Sequence, residues 1–343
     1  MQTVRVAMIG FGNVGQGFAQ ILRDQGEQLA HQYDIQITIV AISDIHKGSL
    51  YNASGLDPTA LLKAVAATSR LDSVSAPHHG WDALRTIKDT TSDTILELSY
   101  TDLKTGEPAY THMQHAITAG KHVVTSNKGP IALHYPELKA LADANHVQIG
   151  IEGTVMSGTP ALHLGNDLLS AAGILCIQGI INGTTNYILT QMEAGASYTS
   201  ALAEAQAAGY AEADPTGDVE GYDAAGKTVI LANLLMGACL TMGDVDRTGI
   251  TQLTSQDIVT AQANGERWKL IAKVERSGSK VTASVRPTRL SISHPLASVN
   301  GATNAITFST QMLGDVTLIG PGAGRLETGY ALLTDLLAMH RKI

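Results

Sequence analysis

A glycine-rich turn at residues 10–15, Gly-Phe-Gly-Asn-Val-Gly, follows the β-branched apolar run Val4–Ile9 and precedes apolar residues at helical spacing. Strand, glycine turn and helix in this order are the context that the dinucleotide-binding fingerprint requires. The first glycine allows a tight turn, the second lets the backbone approach a pyrophosphate, and the third lets the helix pack closely on the strand. The helix N-terminus adds N–H donors for the anion. The pattern therefore predicts an α/β domain of Rossmann type, with cofactor contacts from Gly10, Phe11, Gly12, Asn13, Val14 and Gly15.

A second apolar run, Ile35–Ile42, predicts the next strand, and it ends in Ser43 and Asp44. An acidic residue at this strand end is placed to bind a ribose 2′-hydroxyl, which favours NAD. A turn residue is an equally good explanation of Asp44. His46 and Lys47 follow closely and could instead meet a 2′-phosphate. The choice between NAD and NADP stays open at this point.

Further strands are predicted at Thr94–Leu98 and His122–Val124, with a helix at about residues 111–119 between them. This alternation indicates a parallel sheet with right-handed connections, in which ligands bind at the carboxyl ends of the strands. Two polar segments follow these strands, residues 99–105 and 125–130, and Lys128 is the only charged residue in the second. Lys128 is therefore a candidate site residue, although a surface loop lysine is an equally good interpretation.

The segment Gly209–Lys227 carries five carboxylates and one cation, Lys227, and a long apolar run follows it directly. That run predicts a buried helix with Lys227 in its first turns. Asp223 lies four residues earlier, so the two side chains share a helix face and can pair. A solvated ion pair is the ordinary explanation. The adjacent apolar run favours instead a lysine held near the core by carboxylates, which is a candidate proton donor.

Composition limits the other possibilities. The chain has 343 residues and a net charge of −8, which predicts one large or two ordinary domains and argues against nucleic-acid binding. Cys176 and Cys239, the two cysteines, form neither a disulfide framework nor a metal-ligand pattern. No signal peptide and no 18-residue apolar run occur, so we expect a cytoplasmic protein that does not bind membranes.

Seven sequence blocks in the same order along nearly the whole chain resemble homoserine dehydrogenase. Besides the glycine turn they are Lys-Thr-Gly-Glu-Pro-Ala (104–109), Ala-Gly-Lys-His-Val-Val-Thr-Ser-Asn-Lys-Gly-Pro-Ile-Ala-Leu (119–133), Ile-Asn-Gly-Thr-Thr-Asn-Tyr-Ile-Leu (181–189), residues 209–227, His-Pro-Leu-Ala-Ser-Val (294–299) and Gly-Pro-Gly-Ala-Gly (320–324) with Thr328. The resemblance implies interconversion of L-aspartate 4-semialdehyde and L-homoserine by hydride transfer with NAD(P)H. That reaction belongs to threonine and methionine biosynthesis.

The resemblance also implies roles for particular residues. It assigns proton transfer to Lys227 with Asp223 beside it, and makes Lys128 a second active-site lysine and cofactor contact. Substrate contacts are implied at Glu212, Asp218 and Thr184. The predicted strand Ile174–Ile181 also ends in Asn-Gly-Thr-Thr-Asn (182–186), residue types that cap a helix, so the backbone N–H groups there, with Gly183, suit a substrate carboxylate. An ordinary helix cap is the alternative interpretation of this segment. Further cofactor contacts are expected at Ser99, Thr101 and Gly324, and a monovalent cation (sodium or potassium) on a loop with Glu152, Val155 and Ser157. Close packing is an equally good explanation of the glycines at 322–324.

The implied architecture is a Rossmann-type parallel-sheet domain joined to an α/β substrate-binding and dimerisation domain, with a homodimer expected. A final helix, Tyr330–Met339, is predicted to return to the first domain. The domains are therefore predicted as residues 1–132 with 316–343, and residues 133–315.

Two other functions fit this layout less well. A phosphorylating semialdehyde dehydrogenase needs an activated cysteine, and neither cysteine has a flanking histidine or helix start that would lower its pKa. A non-catalytic NAD sensor would keep the glycine turn but would leave Lys227 among its carboxylates without a purpose.

Overall fold

The computed structural model describes residues 1–340. The chain forms two compact units. The first comprises residues 1–158 and the chain from Gly324 onward, and the second comprises Thr159–Ala323.

The first unit contains a seven-stranded sheet with the order β4-β3-β2-β1-β5-β6-β7. The strands are β1 (Gln2–Ile9), β2 (Ile35–Asp44), β3 (Gly48–Tyr51), β4 (His78–His79), β5 (Thr94–Glu97), β6 (His122–Thr125) and β7 (Ile149–Gly150). Strands β2, β1, β5, β6 and β7 are parallel, whereas β3 and β4 extend the sheet as antiparallel additions. The chain moves outward from β1 in both directions, so a crevice for a ligand is expected where the strand order reverses.

Five helices belong to the first 158 residues: α1 (Asn13–Tyr33), α2 (Pro58–Thr68), α3 (Ala83–Asp89), α4 (Ala109–Thr118) and α5 (Lys128–Ala144). Their apolar faces meet the sheet in a core that includes Val6, Met8, Phe11 and Phe18, all with no exposed surface. Side-chain caps fix several helix starts; Asp57 accepts hydrogen bonds at the start of α2, and Asn127 at the start of α5.

The second unit is built on a six-stranded sheet with the order β13-β12-β8-β10-β11-β9. Its strands are β8 (Ile174–Ile180), β9 (Val245–Arg247), β10 (Glu266–Ser277), β11 (Lys280–Ser291), β12 (Thr303–Thr310) and β13 (Gly314–Pro321), antiparallel except for the β11–β9 pair. Its helices are α6 (Ala161–His163), α7 (Gly183–Glu193), α8 (Tyr198–Ala207), α9 (Thr216–Val219), α10 (Tyr222–Met236) and α11 (Ser255–Ala263). The core beneath α7 includes Ile180, Leu296 and Ala305.

The last helix, α12 (Arg325–His340), packs on α1 in the first unit. Two glycines make this crossing close. A Cβ built on Gly17 would lie 1.9 Å from the Arg325 carbonyl oxygen, and one built on Gly329 would lie 2.6 Å from the Phe18 nitrogen. Neither position has room for a side chain, so the two backbones touch directly.

The unit boundaries differ from those predicted. The predicted break at 132/133 falls inside α5, and the break at 315/316 falls inside β13. Residues 133–158 belong to the first unit because α5 is continuous and β7 pairs with β6, while β13 pairs with β12 in the second sheet. Helix α3 begins at Ala83 because the Asp82 side chain caps its N-terminus. No helix among residues 1–340 has the length and apolar character needed to cross a membrane.

Candidate active site

The glycine turn lies at the reversal point of the first sheet. Gly10 has φ +100°, and a Cβ there would fall 2.4 Å from the Leu98 carbonyl oxygen, so only glycine fits. A Cβ on Gly12 would meet nothing within 4 Å, which leaves space above the turn. The first turn of α1 contains no acidic residue, and Gly12 provides no side-chain cap. Its N–H groups are therefore available to an anion, which is the chemistry that the pyrophosphate of a dinucleotide requires.

Asp44 braces this turn from the end of β2. Its Oδ2 accepts a hydrogen bond from the Phe11 N–H at 2.7 Å, and its Oδ1 accepts from the N–H groups of His46 and Lys47 at 2.9 and 2.8 Å. Burial opposes the charged form of Asp44, but these backbone hydrogen bonds outweigh it and hold the pKa of Asp44 below its ordinary value. Asp44 is therefore an ionised group fixed beside the glycine turn.

A second network joins the ends of β5 and β6. Asn127 donates to the carbonyl oxygens of Ser99 and Tyr100 at 3.2 and 2.9 Å, and its Oδ1 accepts from the Gly129 N–H. These contacts tie the loop after β5 to the first turn of α5, where Lys128 is the first helical residue. Ser99 donates its hydroxyl to Glu97. Thr101, in contrast, is exposed.

In the second unit, Lys227 forms the centre of a buried polar cluster. Only 8 % of Lys227 is exposed, and its Nζ donates to Asp223 Oδ2 at 2.7 Å and to the Ile181 carbonyl oxygen at 2.8 Å. Asn182 Nδ2 donates to Asp223 at 3.0 Å and to Asp218 at 2.7 Å. The predicted i,i+4 pair is thus a partly buried contact that an asparagine links to a second carboxylate.

Asp218, the second carboxylate of this cluster, has a perturbed acidity. Burial raises the pKa of Asp218, and the charge of Asp223 adds to the effect. The hydrogen bond from Asn182 and the charge of Lys227 act in the opposite direction without cancelling it. Two carboxylates and one ammonium group leave a net negative charge, which suits a cationic group on a ligand.

The N-terminus of α7 lies against the same cluster through its cap, Asn182. Asn182 Oδ1 accepts the Thr185 N–H, while the N–H groups of Gly183 and Thr184 have no partner within the helix. The Thr184 hydroxyl donates to the Tyr210 carbonyl oxygen. Glu212 is exposed, and among residues 1–340 its carboxylate has no hydrogen bond or ion pair to this cluster. The structure therefore brings together every predicted substrate residue except Glu212.

The predicted cation loop has an unusual backbone. Glu152 and Val155 are buried, and Met156 and Ser157 both adopt positive φ values, +59° and +55°. The Ser157 hydroxyl meets the Thr328 hydroxyl at 2.7 Å. Among the described residues, no group of three or more histidine, cysteine or acidic side chains has the geometry of a metal site.

The backbone at Gly324 has φ +143°, a conformation that L side chains rarely adopt. A Cβ at Gly324 would lie 2.0 Å from a Glu327 carboxylate oxygen, and one at Gly322 would overlap the Asn304 amide. Both glycines therefore have a close neighbour in their own unit.

A family model for homoserine dehydrogenase matches residues 160–337, and a model for the homoserine dehydrogenase NAD-binding domain matches residues 10–152. The chain belongs to the homoserine dehydrogenase family. It is an NAD(P)-dependent oxidoreductase that interconverts L-aspartate 4-semialdehyde and L-homoserine, a reaction of threonine and methionine biosynthesis.

Individual relatives support this assignment over the full length. An NAD(+)-dependent homoserine dehydrogenase from Pseudomonas canavaninivorans is 45 % identical, covering 99 % of this chain and 97 % of its own. A homoserine dehydrogenase from Methanocaldococcus jannaschii is 38 % identical, covering 98 % of each chain. The crystal structure of a putative homoserine dehydrogenase from Archaeoglobus fulgidus has a TM-score of 0.90 at 35 % identity, covering 99 % of this chain and all of the other.

The sequence patterns did not single out two residues that each organise a polar network, one in each unit. Asn182 joins both carboxylates of the lysine cluster, and Glu97 holds Ser99. The only signal for Glu97 was a charged residue at the end of an otherwise apolar strand, Thr94–Leu98. Asn182 fits the pattern of an ordinary helix cap, and its Oδ1 does cap α7. Its Nδ2 donates to both carboxylates of the lysine cluster.

Proposed function

We propose that Lys227 transfers the proton in this reaction. The observation that supports this role is a nearly buried ammonium group that donates to Asp223 and to a backbone carbonyl. Bound NAD(P)H supplies the hydride to the aldehyde carbon. The oxygen that becomes an alkoxide then needs a proton, and Lys227 Nζ donates it during reduction and accepts it during oxidation. Asp223 orients the amine and stabilises its charged form.

The substrate groups fit the surrounding residues. The net negative charge shared by Asp218 and Asp223 is proposed to hold the ammonium group of homoserine. The free N–H groups of Gly183 and Thr184 at the start of α7 are proposed to hold its carboxylate, since a helix N-terminus favours an anion. Asn182 connects the two subsites and fixes their separation.

Lys128 is the second candidate for the proton donor. It is the first helical residue of α5, and Asn127 ties that turn to the Ser99 loop. Lys227→Met and Lys128→Met should therefore be compared side by side. We expect the Lys227 variant to lose about 10²- to 10⁴-fold in kcat and to recover part of it with added methylamine. A Lys227→Met protein with normal kcat would refute the assignment. If only Lys128→Met lost kcat and recovered it with added methylamine, Lys128 would be the proton donor.

We propose that NAD is preferred over NADP. Asp44 is ionised and fixed at the end of β2, where a carboxylate accepts from a ribose 2′-hydroxyl and repels a 2′-phosphate. The relative that is named NAD(+)-dependent is consistent with this, whereas a structural neighbour of 29 % identity and TM-score 0.84 is in complex with NADPH. Comparing kcat/KM for both cofactors in the natural protein and in Asp44→Ser tests this proposal. An unchanged ratio would exclude the role of Asp44.

We further propose a cytoplasmic homodimer assembled through the second unit. The edge strand β13 and the turn before it expose Met312, Leu313 and Ile319, at 76, 62 and 53 %. Exposed apolar groups along a sheet edge favour association with a second copy. Light scattering of the natural chain should give twice the monomer mass, and a Leu313→Lys/Ile319→Lys variant should give the monomer mass. Fractionation of cells should place the protein in the cytoplasm.

The loop with Glu152, Val155 and Ser157 is proposed to bind a monovalent cation through backbone carbonyl oxygens. Two successive residues with positive φ, Met156 and Ser157, redirect the backbone there, and such strain is concentrated at functional sites. Activity with sodium, potassium or tetramethylammonium chloride at constant ionic strength tests this. Equal rates in all three salts would exclude a required cation.

A further inference from the structure

Glu97 is an unusual group for the end of a central parallel strand. It has no exposed surface, and no lysine or arginine pairs with it within residues 1–340. One oxygen, Oε1, lies 3.3 Å from the Ser99 nitrogen, 2.5 Å from Ser99 Oγ and 3.2 Å from His112 Nδ1. The other oxygen, Oε2, has no hydrogen-bond partner. Burial of a carboxyl group without a cation costs free energy, so Glu97 does not serve to stabilise the core. Its contacts instead organise the Ser99 loop.

These contacts determine which way the Ser99 hydroxyl faces. The Ser99 N–H can only donate, so its contact shows that Glu97 Oε1 acts as an acceptor. The Ser99 hydroxyl donates its hydrogen bond to this same oxygen, so the single hydroxyl proton of Ser99 is directed to Glu97. Ser99 therefore presents only lone pairs to any ligand above it. It recognises a hydrogen-bond donor and rejects an acceptor.

The position of Ser99 identifies which half of the cofactor it faces. Asp44, at the end of β2, marks the adenosine side of β1, and β5 lies on the opposite side of β1. Ser99 follows β5, and the turn at Gly10 touches the Leu98 backbone just before it. The nicotinamide half of the dinucleotide therefore extends toward Ser99.

We propose that Ser99 accepts a hydrogen bond from the carboxamide NH₂ of the nicotinamide, and that Glu97 is the positioning residue that fixes its hydroxyl for this purpose. Glu97 acts only through Ser99. The carboxamide is the substituent of the pyridine ring that carries a donor, so this contact selects the orientation of the ring.

The test measures dissociation constants by calorimetry for three ligands. They are NAD, 3-acetylpyridine adenine dinucleotide, in which a methyl ketone replaces the carboxamide, and ADP-ribose, which lacks the ring. Ser99→Ala should weaken NAD binding about three- to tenfold, as expected for one neutral hydrogen bond. It should leave the acetylpyridine analogue and ADP-ribose unchanged, because neither has the carboxamide donor. Unchanged ADP-ribose binding also shows that the variant is folded.

Glu97→Gln tests the positioning role. A glutamine can donate to Ser99 as well as accept, so the hydroxyl loses its fixed direction and NAD binding should weaken while ADP-ribose binding stays the same. The double variant should bind NAD as Ser99→Ala does. Equal losses for NAD and the acetylpyridine analogue would place the contact on the ribose and overturn the proposal. Additive losses in the double variant, or weaker ADP-ribose binding in Glu97→Gln, would show that Glu97 merely supports the loop.

Discussion

The contact between α1 and α12 allows a matched pair of substitutions in one helix. Gly17 and Gly26 both lie in α1, but a Cβ at Gly17 would be 1.9 Å from the Arg325 carbonyl oxygen, whereas one at Gly26 would meet nothing within 4 Å. Alanine should therefore destabilise the first unit at residue 17 and stabilise it at residue 26.

The magnitudes follow from the geometry. Real Cβ contacts are essentially never shorter than 3.0 Å, so the start of α12 must withdraw from Gly17→Ala by about 1.1 Å. Overpacking of this kind costs about 1–3 kcal/mol, and a backbone carbonyl cannot rotate away as a side chain can. Replacing glycine by alanine within a helix stabilises the fold by at most about 1 kcal/mol, because alanine has the higher helix propensity. We expect a net loss of about 1–2 kcal/mol for Gly17→Ala and a gain of about 0.5–1 kcal/mol for Gly26→Ala.

Urea unfolding in a Trp268→Phe background provides the assay, because Trp81 then reports on the first unit alone. The two variants should shift the midpoint in opposite directions with an unchanged slope. Gly329→Ala, whose Cβ would lie 2.6 Å from the Phe18 nitrogen, should behave like Gly17→Ala. If both α1 variants moved the midpoint in the same direction, the close crossing would not be what makes Gly17 necessary.

Three further outcomes are expected. Gly10→Ala should abolish NAD binding in calorimetry while thermal unfolding of the second unit stays unchanged, because φ is +100° there. Burial lowers the pKa of Lys269, so between that lowered pKa and about 10.4 the unfolded chain binds more protons than the folded one. The free energy of unfolding should therefore rise with pH across this window. Lys269→Met should flatten that rise, whereas Lys280→Met, at an exposed position, should not. Asn304→Leu should cost little stability in urea unfolding, because both amide atoms of Asn304 are buried without partners. Asn186→Leu should cost about 1–3 kcal/mol, because it breaks hydrogen bonds to two carbonyl oxygens and to Lys269. Equal losses of stability in the two variants would contradict this reasoning.

Local patterns predicted the parts of the fold in which one physical signal dominates. Apolar runs rich in β-branched residues identified β1 and β2, and the i,i+4 spacing placed Asp223 and Lys227 in contact. Strands β3 and β4 were missed because four and two residues are too few to show a period.

The outcome for the site residues follows the same reasoning. Residues attached to a helix start or a strand end, such as Thr184 and Ser99, could be placed from the sequence because the element fixes their position. Glu212 lies in the irregular segment between α8 and α9, whose path no periodicity specifies, and it is exposed. Glu97 could not be identified from the sequence because its contacts with Ser99 and with His112 of α4 form only in the folded unit.

The docking of α12 on α1 has a consequence for synthesis of the chain. Leu332 and Leu336 complete the core around Phe18, yet they are translated only after the whole segment 159–323. A nascent chain therefore carries an uncovered apolar groove along α1 while the second unit is being made. We expect the first unit to complete its folding last, although it contains the N-terminus. Until the final helix emerges from the ribosome, we expect it to depend on chaperones.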